Sequence, residues 1–366
     1  MLIKEITSLL ESIAPPALQE SYDNAGLITG QPSWECTGII CTLDATEEVI
    51  IEAIEKKCNL VVAHHPIIFS GLKKINGKNY VEKAIITAIK NDIAIYAIHT
   101  NLDNIINGVN KKMADALGLT IRQILSPKEN QLIKLYTFVP VEYAEKVRSA
   151  IFEAGGGHIG NYSECSFNAP GEGTYKAGDD TNPFAGEKNK RHSENEIKIE
   201  IIFPQWLQQP IISALLAAHP YEEVAYDLVK LSNNLTTTGS GLIGEFKEPM
   251  SETDFLHHLK KSFNLQLIRH TPLTGKPVKK VALCGGAGSF LIKRALGAGA
   301  DFYVSADIKY HEFFDANGRM VVADIGHWES EQFTIDLLYE ILKEKYPTFA
   351  LRKTEVCTNP VCCFIN

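Results

Sequence analysis

The chain lacks the features that would place it in several familiar classes. No apolar run approaches the roughly 20 residues that a membrane helix needs. No Lys/Arg run stands out, and 44 acidic against 36 basic residues leave a net charge of -8. That balance argues against broad electrostatic binding to nucleic acid or to an anionic membrane. The eight cysteines form no CxxC pair, and the usage suits a reducing compartment better than a disulfide scaffold. Cys362 and Cys363 stand side by side near the C-terminus and read as surface or packing thiols. The GGAGS loop at 285–289 matches neither GxGxxG nor a Walker lysine followed by Ser/Thr. The opening segment MLIKEITSLLESIAPP has helical spacing with Lys4, Glu5 and Glu11 interleaved, unlike a signal peptide. A soluble, cytoplasmic protein is expected.

What is present is an ordinary globular balance, 45% hydrophobic and 22% charged over 366 residues, enough for about two domains. Apolar runs at 37–43, 59–64 and 92–99 alternate with helical patterns at 47–57, 80–91 and 109–119. Near-continuous apolar strands separated by helices predict parallel β-α-β units. The same pattern resumes at 278–284, 301–307 and 320–326, followed by a long amphipathic helix at 329–346. Between them, 131–231 reads as strand, helix, strand, helix, strand with a Gly/Asn/Ser/Pro-rich insertion from Gly155 to about Lys190. The expected fold is α/β: one discontinuous three-layer domain with a mainly parallel sheet, built from 1–129 and 236–366. A ferredoxin-like α+β unit at 130–235 interrupts it.

Three apolar strands end in groups that bind metals. AHHPIIF (63–69) delivers His64 and His65 where Pro66 stops a strand. Strand neighbours point to opposite faces, so both histidines serve one site only where the strand has ended or bent. AIHTNLDN (97–104) delivers His99 and Asp103, although an aspartate there is also a common turn former or cap. GHWESEQF (326–333) places His327 and Glu331 four apart, on one face of a helix if a helix begins there. A helix N-terminus alone would account for Glu331 but not for a histidine beside it. With His99 set aside for a supporting or substrate-contacting role or plain packing, three histidines and two carboxylates exceed what one zinc needs and suit two divalent ions, zinc, iron or manganese. Asp23 and Asn24 in YDNAGL (22–27) are candidates to orient a ligand histidine, against plain turn formation. Asp307 with His311 is a candidate pair beside the site, against a cap and an exposed histidine. GGAGS (285–289) is either a weak phosphate cradle or a tight strand-to-helix turn.

Taken in order, YDNAGL, AHHPIIF, HTNLDN, GSGLIGE, LCGGAGS, SADIKYHE and GHWESE resemble the Nif-three-like dinuclear-metal family, also called GTP cyclohydrolase I type 2 homologs. GGGHIGNYSECSF, TNPFAGE and AHPYEEVAYD resemble the P-II/CutA-like insert of its longer bacterial members. The resemblance implies His64, His65, Asp103, His327 and Glu331 as ligands of two divalent ions, and a ring-shaped homohexamer. Tyr22 stands where the family usually has Trp, and Ala306 where it usually has Gly; neither position is a ligand. The expected function is a metal-dependent hydrolase that activates water, with GTP ring opening as the inherited activity. His99 and His311 are its candidate proton shuttles and a nucleotide its candidate substrate. The alternative is a non-catalytic protein of metal delivery or sensing with an effector-binding insert.

Overall fold

The structure is a computed structural model that describes residues 1–364, with the backbone alone at 121. Two compact units form: residues 1–127 together with the chain from 236 on, and residues 128–235.

The first unit opens with β1 (Gly26–Thr29), β2 (Ile39–Asp44), β3 (Leu60–His65), β4 (Ala94–Ala97) and β5 (Thr120–Pro127). The second contributes β6 (Leu132–Pro140), β7 (Phe167–Lys176), β8 (Arg191–Pro204) and β9 (Tyr226–Lys230). The first unit then resumes with β10 (Gly239–Met250), β11 (Arg269–His270), β12 (Val278–Ala287), β13 (Phe302–Ala306), β14 (Val321–Asp324) and β15 (Leu351–Lys353).

The α/β class follows the sequence pattern, but the first unit divides its strands between two sheets. One has the order β1-β4-β3-β2-β15, parallel except for β1; the other runs β11-β14-β13-β12-β10-β5, with β12, β13 and β14 parallel. The β2 and β3 sequences IICTL and LVVAH are fully buried, as parallel strands covered on both faces must be. Helices Glu47–Glu55 and Tyr80–Lys90 cover this sheet through Val49, Ile50, Ala53, Ala84 and Ile85. Asn79 caps the second of these helices by accepting from the Glu82 amide at 2.9 Å. Around the other sheet, Phe255, Phe263, Val281, Phe302, Val304 and Val321 form a second core. A 3-10 helix, Tyr310–Ala316, follows β13, and the long helix expected at 329–346 breaks into His327–Glu331 and Thr334–Lys345.

Residues 128–235 run β-α-β-β-α-β with the antiparallel order β7-β8-β6-β9. Helices Ala144–Glu153 and Gln208–Ala218 pack on one face through Val147, Ile151, Ile211 and Leu215, against Leu135, Ile199 and Ile201. The Gly/Pro-rich FNAPGEGTYK, which looks like loop, is the edge strand β7. Its Pro170 is tolerated because an edge strand has an amide row that needs no partner.

Candidate metal centre

The carboxyl ends of strands from both sheets of the first unit supply one cluster. His64 and His65 end β3, His99 and Asp103 follow β4, Asp307 follows β13, and His327 and Glu331 lie on the short helix after β14. Strand ends in open α/β sheets are where ligand sites form, because the loops there diverge and leave room.

Each imidazole is held by an oxygen on Nδ1. His64 meets the Ile98 carbonyl at 2.8 Å, His65 meets Asp44 at 2.8 Å, His99 meets Asp23 at 2.8 Å and His327 meets Asp307 at 2.6 Å. An oxygen acceptor there keeps the proton on Nδ1 and turns Nε2 towards the cluster. Glu331, only 3% exposed, lies between the ring edges. Its Oε2 is 2.9 Å from His65 Nε2 and 3.2 Å from His327 Nε2, while its Oε1 is 3.9 Å from His64 Nε2. His64 Nε2 is also 3.6 Å from Asp103 Oδ1.

Two groups thus share Glu331, one with His64 and Asp103 and the other with His65 and His327; each is compact enough to hold a metal ion. His99 joins His64 and His65 in a third such group. The decisive detail is a deficit: His64 Nε2 and Asp103 Oδ1 are buried and have no hydrogen-bond partner. Unpartnered buried polar atoms cost roughly 1–3 kcal/mol each, so two facing one another call for a group that accepts both lone pairs. A cation does so, and imidazole with carboxylate suits a divalent transition ion.

The electrostatics agree. Burial opposes charge on His65, but its hydrogen bonds to Asp44 and Glu331 outweigh it and push the imidazole up to about 10. For His327, burial is again outweighed, by Glu331 and Asp307, and the ring rises to about 9. Burial and the neighbouring Glu331 push Asp103 up to about 7. Glu331 goes the other way despite its burial, held well below the usual carboxylate range by His327, His64 and His65. Without a cation, then, protons take its place.

Of the other candidates, Asp23 anchors His99 and accepts from both the amide and the hydroxyl of Thr100. Asn24 instead donates to the Ile68 carbonyl at 2.7 Å. Asp307 adopts φ +53, a left-handed conformation unusual for a side-chain-bearing residue, where it grips His327. His311 is exposed and packs against Tyr310 and Phe314, outside the convergent set. The first two amides of GGAGS are already used, Gly285 donating to Asn110 and Gly286 to Ser330 Oγ, and residues 285–287 form the end of β12.

Sequence reasoning missed Asp44, which looks like an ordinary strand end. Parallel pairing sets it opposite His65. It also missed the tail, where Thr358 donates to Asp44 at 2.7 Å and Asn359 to Glu329 at 2.9 Å. Exposed Cys362 and Cys363 line a cavity of about 580 Å³ there with Asp307, His327 and Glu329. No helix among the described residues is long and apolar enough to cross a membrane.

The fold and the cluster define a mixed α/β protein, interrupted by a second unit, with a histidine-carboxylate site that could hold metal. The family described as Duf34/NIF3 (NGG1p interacting factor 3) matches residues 1–360, and the chain belongs to it. It is 39% identical over 361 residues to a GTP cyclohydrolase 1 type 2 homolog of Halalkalibacterium halodurans, covering 97% of each chain. It is 38% identical over 327 residues to the Bacillus subtilis protein of that name, covering 89% of this chain and 88% of that one. The crystal structure of a Bacillus cereus protein related to NIF3 superposes with a TM-score of 0.86 at 38% identity, covering 100% of this chain and 99% of that one.

Proposed function

We propose that the chain is a metal-dependent hydrolase whose site holds two divalent ions through His64, His65, Asp103, His327 and Glu331. What carries the reading is the facing pair of buried, unpartnered atoms, His64 Nε2 and Asp103 Oδ1, 3.6 Å apart beside a carboxylate whose two oxygens face different histidines. A divalent ion supplies a lowered water pKa and Lewis acidity. The protein's side chains do the rest. Asp44, Asp307 and the Ile98 carbonyl fix the tautomers of His65, His327 and His64, so that three Nε2 lone pairs converge. Asp23 does the same for His99, whose Nε2 is then placed to give or take a proton beside the ligands. Phe69 stands edge-on to His99 at 5.5 Å, with half its surface exposed, and would wall the approach against a planar substrate. The name carried by the relatives, GTP cyclohydrolase 1 type 2 homolog, makes GTP the first substrate to screen.

The test is metal content per chain on gently purified protein, beside a folded His64→Ala/Glu331→Ala variant, followed by hydrolysis of GTP and other nucleotides. About two ions per chain, lost in the variant together with turnover, is the expected outcome. One ion or none after reconstitution overturns the two-ion site. Full metal occupancy without turnover on any nucleotide overturns the nucleotide reading and leaves metal delivery or sensing.

A further inference from the structure

A second cavity lies wholly within residues 128–235 and has no part in the metal cluster. It measures about 620 Å³, within the range of small-molecule sites. It occupies the sheet face opposite the two helices. On β8, Ile199 and Ile201 face the helices, whereas Glu196 and Lys198 line the cavity. Period-two alternation produces that division.

The cavity exists because β7 carries glycine where it crosses Glu196 and its neighbours. Gly171 pairs with Glu196 and Gly173 with Glu194. A β-carbon on Gly171 would meet nothing within 4 Å, so a larger residue there would project into open space. A β-carbon on Gly173 would sit 2.2 Å from Glu196 Oε2, so only glycine lets that carboxylate lie where it does. The segment after β7 is tied over the same face. Tyr175 donates to the Ala185 carbonyl at 2.8 Å, and the Asn182 amide donates to Glu222 at 2.8 Å.

The walls are aromatic. Phe184 lies 5.9 Å from Tyr221, and Tyr175 6.0 Å from Tyr221, as ring centroids. At the base is Glu196, only 8% exposed. Its Oε1 accepts from the Tyr221 hydroxyl at 2.8 Å, and Oε2 lies at the bare Gly173 backbone. Four glutamates and two lysines line the cavity, and one lysine is already committed, since Lys198 Nζ sits 2.8 Å from Glu200 and over the Tyr136 ring. A nearly buried carboxylate under aromatic rings, with acid in excess, attracts a cation with an apolar frame. An anionic ligand would meet net repulsion.

We propose that this cavity binds a small organic amine, with its ammonium on Glu196 and its carbon frame against Tyr221, Phe184 and Tyr175. The test uses the full chain and 2-phenylethylamine as the probe, with 2-phenylethanol and 3-phenylpropionate as the neutral and anionic counterparts. Calorimetric titration is run on the wild type, Glu196→Gln and Gly171→Leu, with circular dichroism and metal content checking that each variant is folded. The amine binds saturably in the millimolar range or better, and the alcohol and acid bind more weakly. Glu196→Gln loses at least about tenfold in affinity, as removal of a charge-assisted hydrogen bond should. Gly171→Leu removes binding by filling the space, without touching the carboxylate. The proposal is overturned if the three probes bind alike, if the amine does not saturate, or if a folded Gly171→Leu variant binds as the wild type does. Metal content is independent of the outcome, so failure here leaves the metal site standing.

Discussion

Gly286 gives the sharpest test of how the cluster is built, because it is neither a ligand nor an anchor. Its φ is +62, and a β-carbon there would lie 2.3 Å from Glu331 Oε1 and 3.3 Å from His327 Cε1. Ordinary contact begins near 3.4 Å, so in Gly286→Ala the Glu331 carboxylate must withdraw by about 1 Å. Glu331 is buried and hemmed in by three histidines, so that shift breaks its simultaneous reach to His65 and His327. A displacement of this size in a metal ligand costs about 10- to 100-fold in affinity, the range seen when a ligand's support is removed. The left-handed backbone adds about 1–2 kcal/mol of destabilisation. The control is Gly297→Ala, at a helical glycine with open space around it, which should leave both quantities alone or slightly raise stability. Competition with a fluorescent chelator gives the affinity, and thermal melts of the metal-free proteins give the stability. A folded Gly286→Ala protein with wild-type metal affinity would refute the placement of Glu331 at the centre.

Four other outcomes follow from the same geometry. Asp44→Asn keeps a carbonyl for His65 but removes the charge, and should weaken metal binding by about tenfold and also lower the melting temperature of the metal-free chain near pH 7, because the charged His65 loses a partner; calorimetry reads the first and a melt the second. Metal uptake should release protons, because His65 and His327 titrate near 10 and 9 without a cation. His327 is 39% exposed and partly screened, so between about one and two protons leave, and apparent affinity rises about ten- to a hundredfold per pH unit from about pH 7 to 9. Affinity that is flat with pH would contradict it. The same raised imidazoles stabilise the metal-free fold fully below their unfolded value of 6.5, and that contribution is lost as pH climbs through 9 to 10. Chelation should lower the melting temperature without unfolding the chain at room temperature, and added metal should restore it in proportion to the logarithm of its concentration. Outright unfolding on chelation would make the ions chiefly structural.

The candidate cluster was legible because each member ends or follows an apolar strand, and the local pattern alone marks where such a strand stops. HHP after LVVA and a histidine four residues before a glutamate are features of neighbouring residues. The anchors were not legible, because they depend on pairing between distant segments. Asp44 meets His65 only through the parallel register of β2 on β3, and Asp307 meets His327 only because β13 lies beside β14. Neither register is written in any window of sequence. The division into two sheets escaped for a similar reason: β5 and β10 are antiparallel additions, and they pair with each other across more than a hundred residues. The edge strand β7 was hidden by its own composition. Its glycines and proline argue against a strand locally, yet its pairing with β8 prevails from Phe167 to Lys176.

The order of the residues along the chain gives the site a further property. His64, His65, Asp44 and Asp103 all precede the 128–235 unit, whereas Asp307, His327 and Glu331 all follow it. The contact between His65 and Glu331 therefore spans 266 residues. Until both flanks have folded, no partial segment assembles the set, and the unfolded chain offers a metal only the local fragments. Closing so long a loop costs only slightly more entropy than closing one half its length, since the cost grows with the logarithm. The two unpartnered atoms, His64 Nε2 and Asp103 Oδ1, both lie on the first flank, and the carboxylate nearest them comes from the second. A cation seated there joins the flanks at a point where these two polar groups are otherwise unmatched. The stabilisation it brings should therefore appear as resistance of the discontinuous unit to separation of its halves, measurable as slower proteolysis when metal is present, with no such change expected for residues 128–235.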